Sequence, residues 1–354
     1  MLKQNTAVIC LSKSSGGLEL DSLKFAQKIS RYSNTVFVAK KDSFTHQKFD
    51  KYVSREDNVS LETIDFHFSF SLNIIRRVRD IIKKYDVKNV VFFGTRELKS
   101  LFFAFIGFDI NLILRHGTTR TTPRKHIFHK LIYRNVDYHV SISKHIEKCV
   151  KHTIPFGIKT KSVVIYCSVK AIDFEKEKNS KLILLHTGRI LKAKGQEDAI
   201  KACKVLVDNN IDFLFYVVGE QEKAYSKSFM KMYEALAYKD KIVLVGFTDD
   251  IEQYMIKSDI FLYPSYGEGL SNSFLEALSN GVVCVSYNNT VFPEIKQLGF
   301  EFEMVENKNI DKLSESLLAI AKAQRSFDVA KNRQIAKALL SEEIEISKYL
   351  EILK

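Results

Sequence analysis

The chain lacks several features that would place it in well-known classes of protein. No apolar run approaches the roughly 20 residues that a helix needs to cross a bilayer. The start, MLKQNTAVICLSKSSGG, has an apolar core too short for a signal peptide, and no small-residue cleavage site follows it. The 5 cysteines are scattered and form no C-x-x-C pair, which disfavours a disulfide framework or a zinc knot. These absences predict a protein of a reducing cytoplasm.

Other absences narrow the chemistry. Neither half opens with the G-x-G-x-x-G turn that holds the pyrophosphate of a dinucleotide, so an NAD-dependent enzyme is disfavoured. The chain has no D-x-D pair of the kind that binds a metal ion, and no tandem repeat or low-complexity tract. What remains is an ordinary globular composition, with 45% hydrophobic and 27% charged residues.

Positive charge is abundant but unevenly placed. The net charge is +12, and residues 1–160 carry 28 Lys and Arg against 14 Asp and Glu. The rest of the chain carries 26 basic and 28 acidic residues, so all of the excess lies in the first half. A lysine-rich soluble surface is one explanation. The other is an anionic partner of the first half: a membrane surface, a phosphorylated glycolipid or a nucleic acid.

Short apolar runs alternate with helical patterns in both halves. Runs such as VKNVVFFG and INLILRHG, and later KLILLHTG and FLFYVVG, are typical of buried parallel strands. Helical periodicity lies between them, for example over Glu19–Arg31, Ile74–Lys84 and Gln196–Asp208. The alternation predicts an α/β fold of two Rossmann-like, doubly wound domains facing a cleft, followed by C-terminal helices.

The same pattern divides the chain. We predict a first domain over residues 1–165, a linker over 166–180, a second domain over 181–335, and a C-terminal helix over 336–354 that packs back toward the first domain. The linker is placed where Pro155, Gly157 and a charged run interrupt the alternation.

The stretch GEGLSNSFLEALSNG joins a predicted strand to a predicted helix and carries two carboxylates. Its glycines let the backbone turn sharply, and with Ser271 or Asn272 as N-cap the free amides of the helix start favour an anion or sugar oxygens. Glu268 precedes the helix and Glu276 lies about one turn into it, where a carboxylate can accept hydrogen bonds from two vicinal hydroxyls. The alternative is that Glu276 is a solvated helix residue and that Glu268 assists the cap.

A second loop, LLHTGRILKAKG, supplies two cations. Arg189 and Lys194 follow a predicted strand and precede a predicted helix, so both are expected over the C-terminal ends of the strands. Arginine offers a fork for phosphate oxygens and lysine a point charge, and together they suit a diphosphate. The alternative is a pair of solvated loop cations.

Two weaker signals lie in the first half. The Gly-rich turn SKSSGG opens a predicted helix but matches neither the dinucleotide nor the Walker motif. His116 ends a predicted strand, where ligands bind in such sheets, although a polar cap is the commoner role for a single histidine there.

Residues 113–135 form a basic segment without an acidic residue. Four apolar residues recur in it at helical spacing: Ile127, Phe128, Leu131 and Ile132. They are either a helix face packed on the core or part of a surface whose cations meet anionic headgroups or acceptor phosphates. The cations are Arg115, Arg120, Arg124, Lys125, Lys130 and Arg134.

Taken together, GRILKAKG, VVGE, EGLSNSFLEALSNGVVCVS and FPEI resemble the retaining, nucleotide-sugar-dependent glycosyltransferases of family four, which have two Rossmann domains in the GT-B fold. The resemblance covers most of the second half, but in the first half only SSGG, RHG and HVSISKHI. The order and spacing of RHGTTRTTPRKHIFHKLIYRNVDYHVSISKHI are similar to those of bacterial lipopolysaccharide core transferases.

This resemblance implies roles for individual residues. Arg189 and Lys194 would hold the donor diphosphate, and Glu276 would bind the ribose. Glu268 would lie near the transferred sugar, and His116 would face that sugar from the first domain. The donor site would also include Gly16, Gly17, Gly188, Gly219, Gly269, Leu270 and Ser271.

The implied chemistry agrees with these residue types. Glycosyl transfer passes through an oxocarbenium-like state while negative charge grows on the leaving diphosphate. A helix N-terminus with Arg189 and Lys194 would stabilise that charge, which can replace a metal, so we expect no cofactor and no metal ion. Retention without an obvious protein nucleophile indicates attack on the face from which the diphosphate leaves. One departure is VIYCSVK, where relatives show an Asn-Gly pair and this chain has Cys167 and Ser168.

We therefore predict a retaining hexosyltransferase of the cytoplasm. It would move a sugar from a nucleoside-diphosphate sugar to a glycan or lipid-linked acceptor, in lipopolysaccharide or cell-surface polysaccharide biosynthesis. The first domain would bind the acceptor, and Arg120, Arg124, Lys125 and Lys130 would meet the acceptor or the anionic inner face of the membrane. The alternatives are a nucleotide-sugar epimerase of the same architecture and a basic nucleic-acid-binding protein, which the paired glutamates disfavour.

Overall fold

The chain folds into two compact units, which a computed structural model describes over residues 4–14, 16–172 and 179–354. The first unit holds Met1–Cys167 together with Glu342–Lys354, and the second holds Ser168–Ser341. Residues 173–178 of the predicted linker lie outside the described residues. Within those residues, no helix is long and apolar enough to cross a membrane.

The first unit is built on a seven-stranded parallel sheet with the strand order β3-β2-β1-β4-β5-β6-β7. The strands are β1 (Asn5–Cys10), β2 (Thr35–Lys40), β3 (Val59–Ile64), β4 (Val87–Phe93), β5 (Asn111–His116), β6 (Tyr138–Ser141) and β7 (Lys161–Val164). The helices are α1 (Gly17–Ile29), α2 (Phe44–Gln47), α3 (Phe49–Tyr52), α4 (Leu72–Lys84), α5 (Leu98–Ala104), α6 (Ile127–Tyr133) and α7 (Lys144–Thr153).

The second unit repeats the design with a six-stranded parallel sheet of order β10-β9-β8-β11-β12-β13. The strands are β8 (Leu182–Thr187), β9 (Phe213–Val218), β10 (Ile242–Gly246), β11 (Ile260–Tyr263), β12 (Val283–Tyr287) and β13 (Glu303–Val305). The helices are α8 (Gln196–Ala202), α9 (Lys204–Asp208), α10 (Lys223–Glu234), α11 (Glu252–Lys257), α12 (Asn272–Ser279), α13 (Phe292–Gln297), α14 (Ile310–Ala321) and α15 (Val329–Leu339), with short 3-10 turns at Lys192–Lys194 and Lys239–Lys241.

Both sheets are covered on both faces at their centres. Successive residues of a strand point to opposite faces, so a strand that is buried throughout must be packed on both sides. Strand β5 is buried at every position, as is β11. The predicted α/β class, with two doubly wound parallel sheets, is therefore confirmed.

A last helix, α16 (Glu342–Leu350), belongs to the first unit and is held there by buried charges. Glu345 Oε2 accepts a hydrogen bond from Lys28 Nζ at 2.9 Å, and its other oxygen lies 3.5 Å from Arg115 Nη2. Arg115 is 1% exposed and also pairs with Asp21 at 2.7 Å. Removing one member would leave a buried charge without its partner, so these ion pairs tie α16 to α1 and β5.

Two observed strands were not predicted, and one predicted helix is divided. Strands β3 and β7 lie at the two edges of the first sheet, and the sequence pattern did not indicate them. The helix predicted over Gln196–Asp208 is divided at Cys203 into α8 and α9.

Candidate active site

The strand order of the second sheet brings two loops together. The order reverses between β8 and β11, which pair directly, so the loops after these strands lie side by side at the carboxyl edge of the sheet. Ligands of doubly wound sheets bind at this topological switch point. The loop after β8 contains GRILKAKG and the loop after β11 contains PSYGEG, the two stretches that carried the sequence argument.

Glycine is required where these two loops touch. Gly195 has a left-handed backbone with φ of 73°, and an added Cβ atom would lie 1.9 Å from the carbonyl oxygen of Pro264. Gly219, after β9, is equally tight, because its added Cβ atom would lie 2.0 Å from the carbonyl oxygen of Gly188. Only glycine allows such close approach of two backbones, so these positions fix where the cationic loop lies.

Lys194 and Glu268 meet at this edge. Lys194 Nζ lies 2.7 Å from Glu268 Oε1 and donates to the Tyr263 hydroxyl at 3.0 Å. The same carboxylate oxygen accepts hydrogen bonds from the Tyr263 hydroxyl at 2.9 Å and the Ser265 hydroxyl at 2.7 Å. The backbone amide of Glu268 donates to Thr290 Oγ1 at 2.9 Å. The structure therefore brings together two of the predicted residues and adds three that the sequence argument missed.

The groups in this cluster stabilise one another's charge states. Burial lowers the pKa of Lys194, but the Tyr263 hydroxyl and the Glu268 carboxylate outweigh burial, so the pKa is raised and the lysine is held as a cation. Burial, followed by the Glu268 charge, raises the pKa of Tyr263 to about 12, so its hydroxyl stays protonated and can donate. The lysine side chain is 26% exposed, which leaves it within reach of a ligand.

Glu268 and Arg189 each have a charged group that can still bind a ligand. Glu268 Oε2 accepts no hydrogen bond from the residues that the structure describes, because all three donors use Oε1. Arg189 is exposed, and its guanidinium forms no ion pair in the described part of the chain, while its carbonyl oxygen accepts from Gln196 Nε2 at 2.9 Å. A carboxylate oxygen and a guanidinium are thus open to a polar ligand.

Helix α12 begins at Asn272, as the sequence predicts, but its cap differs from the expected one. Ser271 is the N-cap residue, with a left-handed φ of 65° and no capping hydrogen bond from its side chain. Its hydroxyl oxygen is buried and has no partner in the described structure. The first amides of the helix have no acceptor within it. Leu270 is 1% exposed and anchors the turn, whereas Glu276 is half-buried on the helix.

Buried polar atoms without partners surround the same loops. Thr187 Oγ1 at the end of β8, Gln196 Oε1 at the start of α8 and Ser271 Oγ all lack a hydrogen bond in the described chain. A buried polar atom without a partner is costly, so such atoms mark places where a ligand or water can bind. His186 is buried beside them, with Nε2 3.0 Å from the carbonyl oxygen of Lys194, and burial lowers its pKa to about 3.

In the first unit, His116 pairs with a second histidine. His116 Nε2 lies 2.8 Å from His139 Nδ1, and both rings are buried. Burial lowers the pKa of His116 well below its usual range and that of His139 to about 3, so both rings are neutral. His139 Nε2 is buried without a partner, which disfavours a proton there. We infer that His139 donates from Nδ1, so that His116 carries its proton on Nδ1 and can donate to a ligand.

The Gly-rich turn after β1 is only partly described, because residue 15 lies outside the described residues. Gly16 is the N-cap residue of α1 with extended backbone. Gly17 is exposed, and an added Cβ atom would have no described atom within 4 Å. Packing against the described residues does not require glycine at position 17, which leaves the predicted phosphate role untested.

The basic segment is divided by the fold. Arg115 is buried in the ion pairs of α16, and Arg120 is half-buried and donates to Thr95 Oγ1 at 2.5 Å. Lys125 and Lys130 are exposed, and Arg124 is intermediate. Three of the four apolar residues are also exposed: Ile127 at 87%, Phe128 at 49% and Leu131 at 39%. Only Ile132 packs on the core, so the helix-face alternative is wrong for the other three.

Comparison with known sequences covers mainly the second unit. Residues 169–338 match the family model described as glycosyl transferases group 1. A UDP-Gal:α-D-GlcNAc-diphosphoundecaprenol α-1,3-galactosyltransferase of Escherichia coli is 26% identical over 145 residues, 40% of this chain and 37% of that protein. The capsular polysaccharide biosynthesis glycosyltransferase CapH of Staphylococcus aureus is 29% identical over 140 residues, 38% of each chain. The matched region thus spans less than two fifths of either relative.

Comparison with solved structures covers nearly the whole chain. A glycosyltransferase from Rickettsia africae ESF-5 superposes with a TM-score of 0.83 at 18% identity, over 99% of this chain and 98% of that one. At this identity the likeness shows the fold, which is the GT-B fold of two Rossmann-like domains. The predicted fold class is confirmed. For the second unit, the resemblance to glycosyltransferases noted in the sequence agrees with the family model that matches residues 169–338.

Proposed function

We propose that this chain, whose residues 169–338 form a glycosyl transferases group 1 domain, transfers a sugar from a nucleoside-diphosphate sugar to a glycan or lipid-linked acceptor. The observation that carries the proposal is the Lys194–Glu268 pair, held at 2.7 Å at the switch point of the second sheet. Glu268 lies in the loop that leads into α12 at Asn272. A cation, a carboxylate with one free oxygen and unpaired helix amides are the groups that a sugar diphosphate needs.

The donor diphosphate would bind at Lys194, Arg189 and the start of α12. Lysine and arginine supply positive charge, and the helix start adds amide donors and the positive end of its dipole. Negative charge grows on the diphosphate as the bond to the sugar breaks. Groups fixed in advance stabilise that charge more in the transition state than in the ground state, and this difference accelerates the reaction.

The two sugars of the donor, the ribose and the transferred hexose, would each bind at a carboxylate. Glu276, half-buried in the first turns of α12, would accept hydrogen bonds from the two ribose hydroxyls. Glu268 Oε2 would accept from a hydroxyl of the transferred hexose, while Oε1 stays paired with Lys194. His116 of the first unit would donate to the transferred sugar from Nδ1. Charged hydrogen bonds of this kind are each worth about 1.5–3 kcal/mol.

We further propose transfer with retention and without a metal ion. The cations and helix amides would do the work of a metal, as the absence of a D-x-D pair led us to expect. No carboxylate is assigned as a nucleophile, so the acceptor oxygen would attack from the face that the diphosphate leaves.

The acceptor would belong to cell-surface polysaccharide or lipopolysaccharide synthesis. Support comes from the relatives, one named for a lipid-diphosphate-linked acceptor and one for capsular polysaccharide biosynthesis. A lipid-linked acceptor would place the protein at the cytoplasmic face of the membrane, where the excess positive charge of the first half would meet anionic headgroups. Arg124, Lys125 and Lys130 would contribute most, since Arg120 is half-buried.

A donor panel tests the proposal. Nucleoside-diphosphate sugars that differ in base and sugar are added one at a time, and the thermal unfolding midpoint is measured. A donor at about 100 times its Kd should stabilise the protein by about 2.7 kcal/mol. Stabilisation by single-stranded nucleic acid, and by no sugar nucleotide, would overturn the proposal.

A further inference from the structure

A cavity of about 620 Å³ lies in the first unit, at the edge of the sheet opposite to His116. Its lining includes residues that immediately precede β6 and β7 and residues at the start of β5. His116 ends β5 at the other edge. The cavity is therefore separate from the carboxyl edge where the proposed function places the sugar. Its volume is within the range of roughly 300–1,000 Å³ that is usual for ligand pockets.

One part of the cavity wall is apolar and aromatic, and the rest is polar. Phe102 of α5, with Phe105 and Phe108 after the helix, lines this part. Ile132 of α6 and Phe156 also contribute apolar surface. Phe102 is 7% exposed and Phe105 is 8% exposed, so both side chains are packed against the rest of the unit. An apolar chain would remove this lining from water, whereas a sugar or a nucleotide would leave it unmatched.

Three cations without an ion pair in the described part of the chain line the same cavity. Lys130, Arg134 and Lys159 are exposed and form no ion pair with any residue in the described ranges. The two lining acids are already engaged: the Asp137 carboxylate accepts from the amide of Leu112 at 2.8 Å, and Asp109 lies 3.6 Å from Lys354 Nζ. The charge left over at the cavity is positive, which favours an anionic headgroup over a neutral one.

Exposed apolar residues extend outward from the cavity. Ile158, which lines it, is fully exposed at 106%. Helix α6, which contributes Lys130 and Ile132, also carries the exposed side chains of Ile127 and Phe128. An apolar surface beside free cations is the combination that an anionic bilayer covers, because acyl chains meet the apolar groups and phosphates meet the cations.

We propose that this cavity receives an acyl chain of an anionic membrane lipid, with the lipid phosphate bound by Lys130, Arg134 and Lys159. The inference rests on the proposed function, which brings the first unit to a membrane surface, and it adds a lipid site on the edge of the sheet away from His116. A lipid held there would fix which side of the first unit faces the bilayer.

Vesicle binding tests the charged part. Binding to phosphatidylglycerol-containing vesicles and to pure phosphatidylcholine vesicles is measured by sedimentation at physiological salt. Arg134→Gln with Lys159→Gln should weaken binding to the anionic vesicles about 30-fold. Each cation near an anionic surface contributes about a fivefold gain in affinity, and the double variant loses two of them. Lys41→Gln with Lys148→Gln removes the same charge from exposed positions that do not line the cavity and should change binding little. Equal losses in the two double variants would contradict the site.

A fluorescent reporter tests the apolar part. The chain contains no tryptophan, so Phe108→Trp places the only indole in the cavity wall. Anionic vesicles with brominated acyl chains should quench this indole, and neutral brominated vesicles should not. Phe247→Trp, in the second unit at a side chain that is 60% exposed, is the control and should stay unquenched. Vesicle-bound Phe108→Trp protein without quenching would overturn the proposal. Neither readout involves sugar transfer, so failure here leaves the proposed function standing.

Discussion

Lys194 Nζ lies 2.7 Å from Glu268 Oε1, an ion pair that joins the loops after two neighbouring strands across 74 residues of sequence. The pair holds the lysine in place before any ligand arrives. It also leaves the second oxygen of the glutamate open. A diphosphate entering this site would meet a cation whose position is already fixed, so little rearrangement would be needed as charge develops.

Loss of either loop cation should reduce turnover more than nucleoside affinity. Arg189→Ala and Lys194→Ala each remove charge that would act on the leaving diphosphate, so kcat should fall by about 10²–10³ while the Kd of the free nucleoside changes little. Steady-state kinetics and calorimetry give the two numbers. Lys192→Ala, an exposed lysine of the same 3-10 turn, is the matched control.

The result separates charge stabilisation from simple binding. A parallel loss of nucleoside affinity and turnover would mean that the two cations only bind the donor. Activity abolished by EDTA and restored by magnesium or manganese would contradict the metal-independent mechanism.

Glu276→Ala should weaken donor binding without unfolding the second unit. The change removes a carboxylate that would accept from the ribose hydroxyls, at a cost of about 1.5–3 kcal/mol, or roughly 10- to 150-fold in Kd. Calorimetry with the preferred donor measures it. Glu315→Ala, on the exposed part of α14, makes the same substitution away from the site and should leave the Kd unchanged. Equal affinities for wild type and Glu276→Ala would remove the ribose assignment.

The centre of each sheet could be predicted from the sequence, but the edges could not. The central strands are buried on both faces and therefore appear as continuous apolar runs, as in VKNVVFFG. At one edge, Val59–Ile64 mixes apolar and polar residues and is mostly half-exposed. At the other edge, Lys161–Val164 has no fully buried residue. Edge strands carry a weaker apolar signal because one side of each lacks a covering neighbour.

The candidate site was predictable in its residues and not in its contacts. Arg189, Lys194 and Glu268 were found because glycines and charges follow predicted strands. That Lys194 meets Glu268 depends on the strand order, which places β8 beside β11 and which the sequence does not contain. The contact between the Glu268 amide and Thr290 crosses to the loop after β12 and left no pattern in the sequence.

The backbone geometry of Ser271 could not be predicted from the sequence either. Serine is a common N-cap, and the sequence predicted one. The observed φ of 65° turns its side chain away from the capping position. A left-handed backbone is uncommon for serine, so the sequence does not indicate it.

Gly195→Ala should destabilise the second unit far more than Gly246→Ala. Both glycines have left-handed backbones, with φ of 73° and 79°, so an added methyl group strains the backbone by about 1–2 kcal/mol in each. At Gly195 the methyl group would also lie 1.9 Å from Pro264, whereas at Gly246 nothing lies within 4 Å. Chemical denaturation of the two variants gives the difference. Similar losses of stability in the two variants would show that the loops holding Gly195 and Pro264 can move apart without a cost in free energy.

Buried neutral histidines should make the first unit sensitive to acid. Burial lowers the pKa of His139 to about 3, below its value in the unfolded chain, so the unfolded state binds more protons between about pH 6.5 and 3. Stability is then present above about pH 6.5 and is lost as the pH falls. Between about pH 6.5 and 5, His139 should cost about 1.6 kcal/mol of stability.

His139→Phe removes one titrating ring while keeping an aromatic group beside Phe156, which lies 4.6 Å away between ring centroids. Denaturation at the two pH values should show a smaller loss in this variant than in wild type. His152→Phe, at an exposed position, is the control and should keep the wild-type loss. An identical loss in His139→Phe and wild type would mean that His139 is protonated in the folded state.

The most direct test of the central claim is to follow the sugar itself. Wild-type protein is incubated with the donor chosen by the thermal panel and with a lipid-diphosphate-linked saccharide. The products are then identified by mass spectrometry and by the anomeric coupling in NMR spectra. We expect an acceptor extended by one hexose, free nucleoside diphosphate, and the anomeric configuration of the donor retained. A donor converted into its epimer, with the acceptor left unglycosylated, would contradict it.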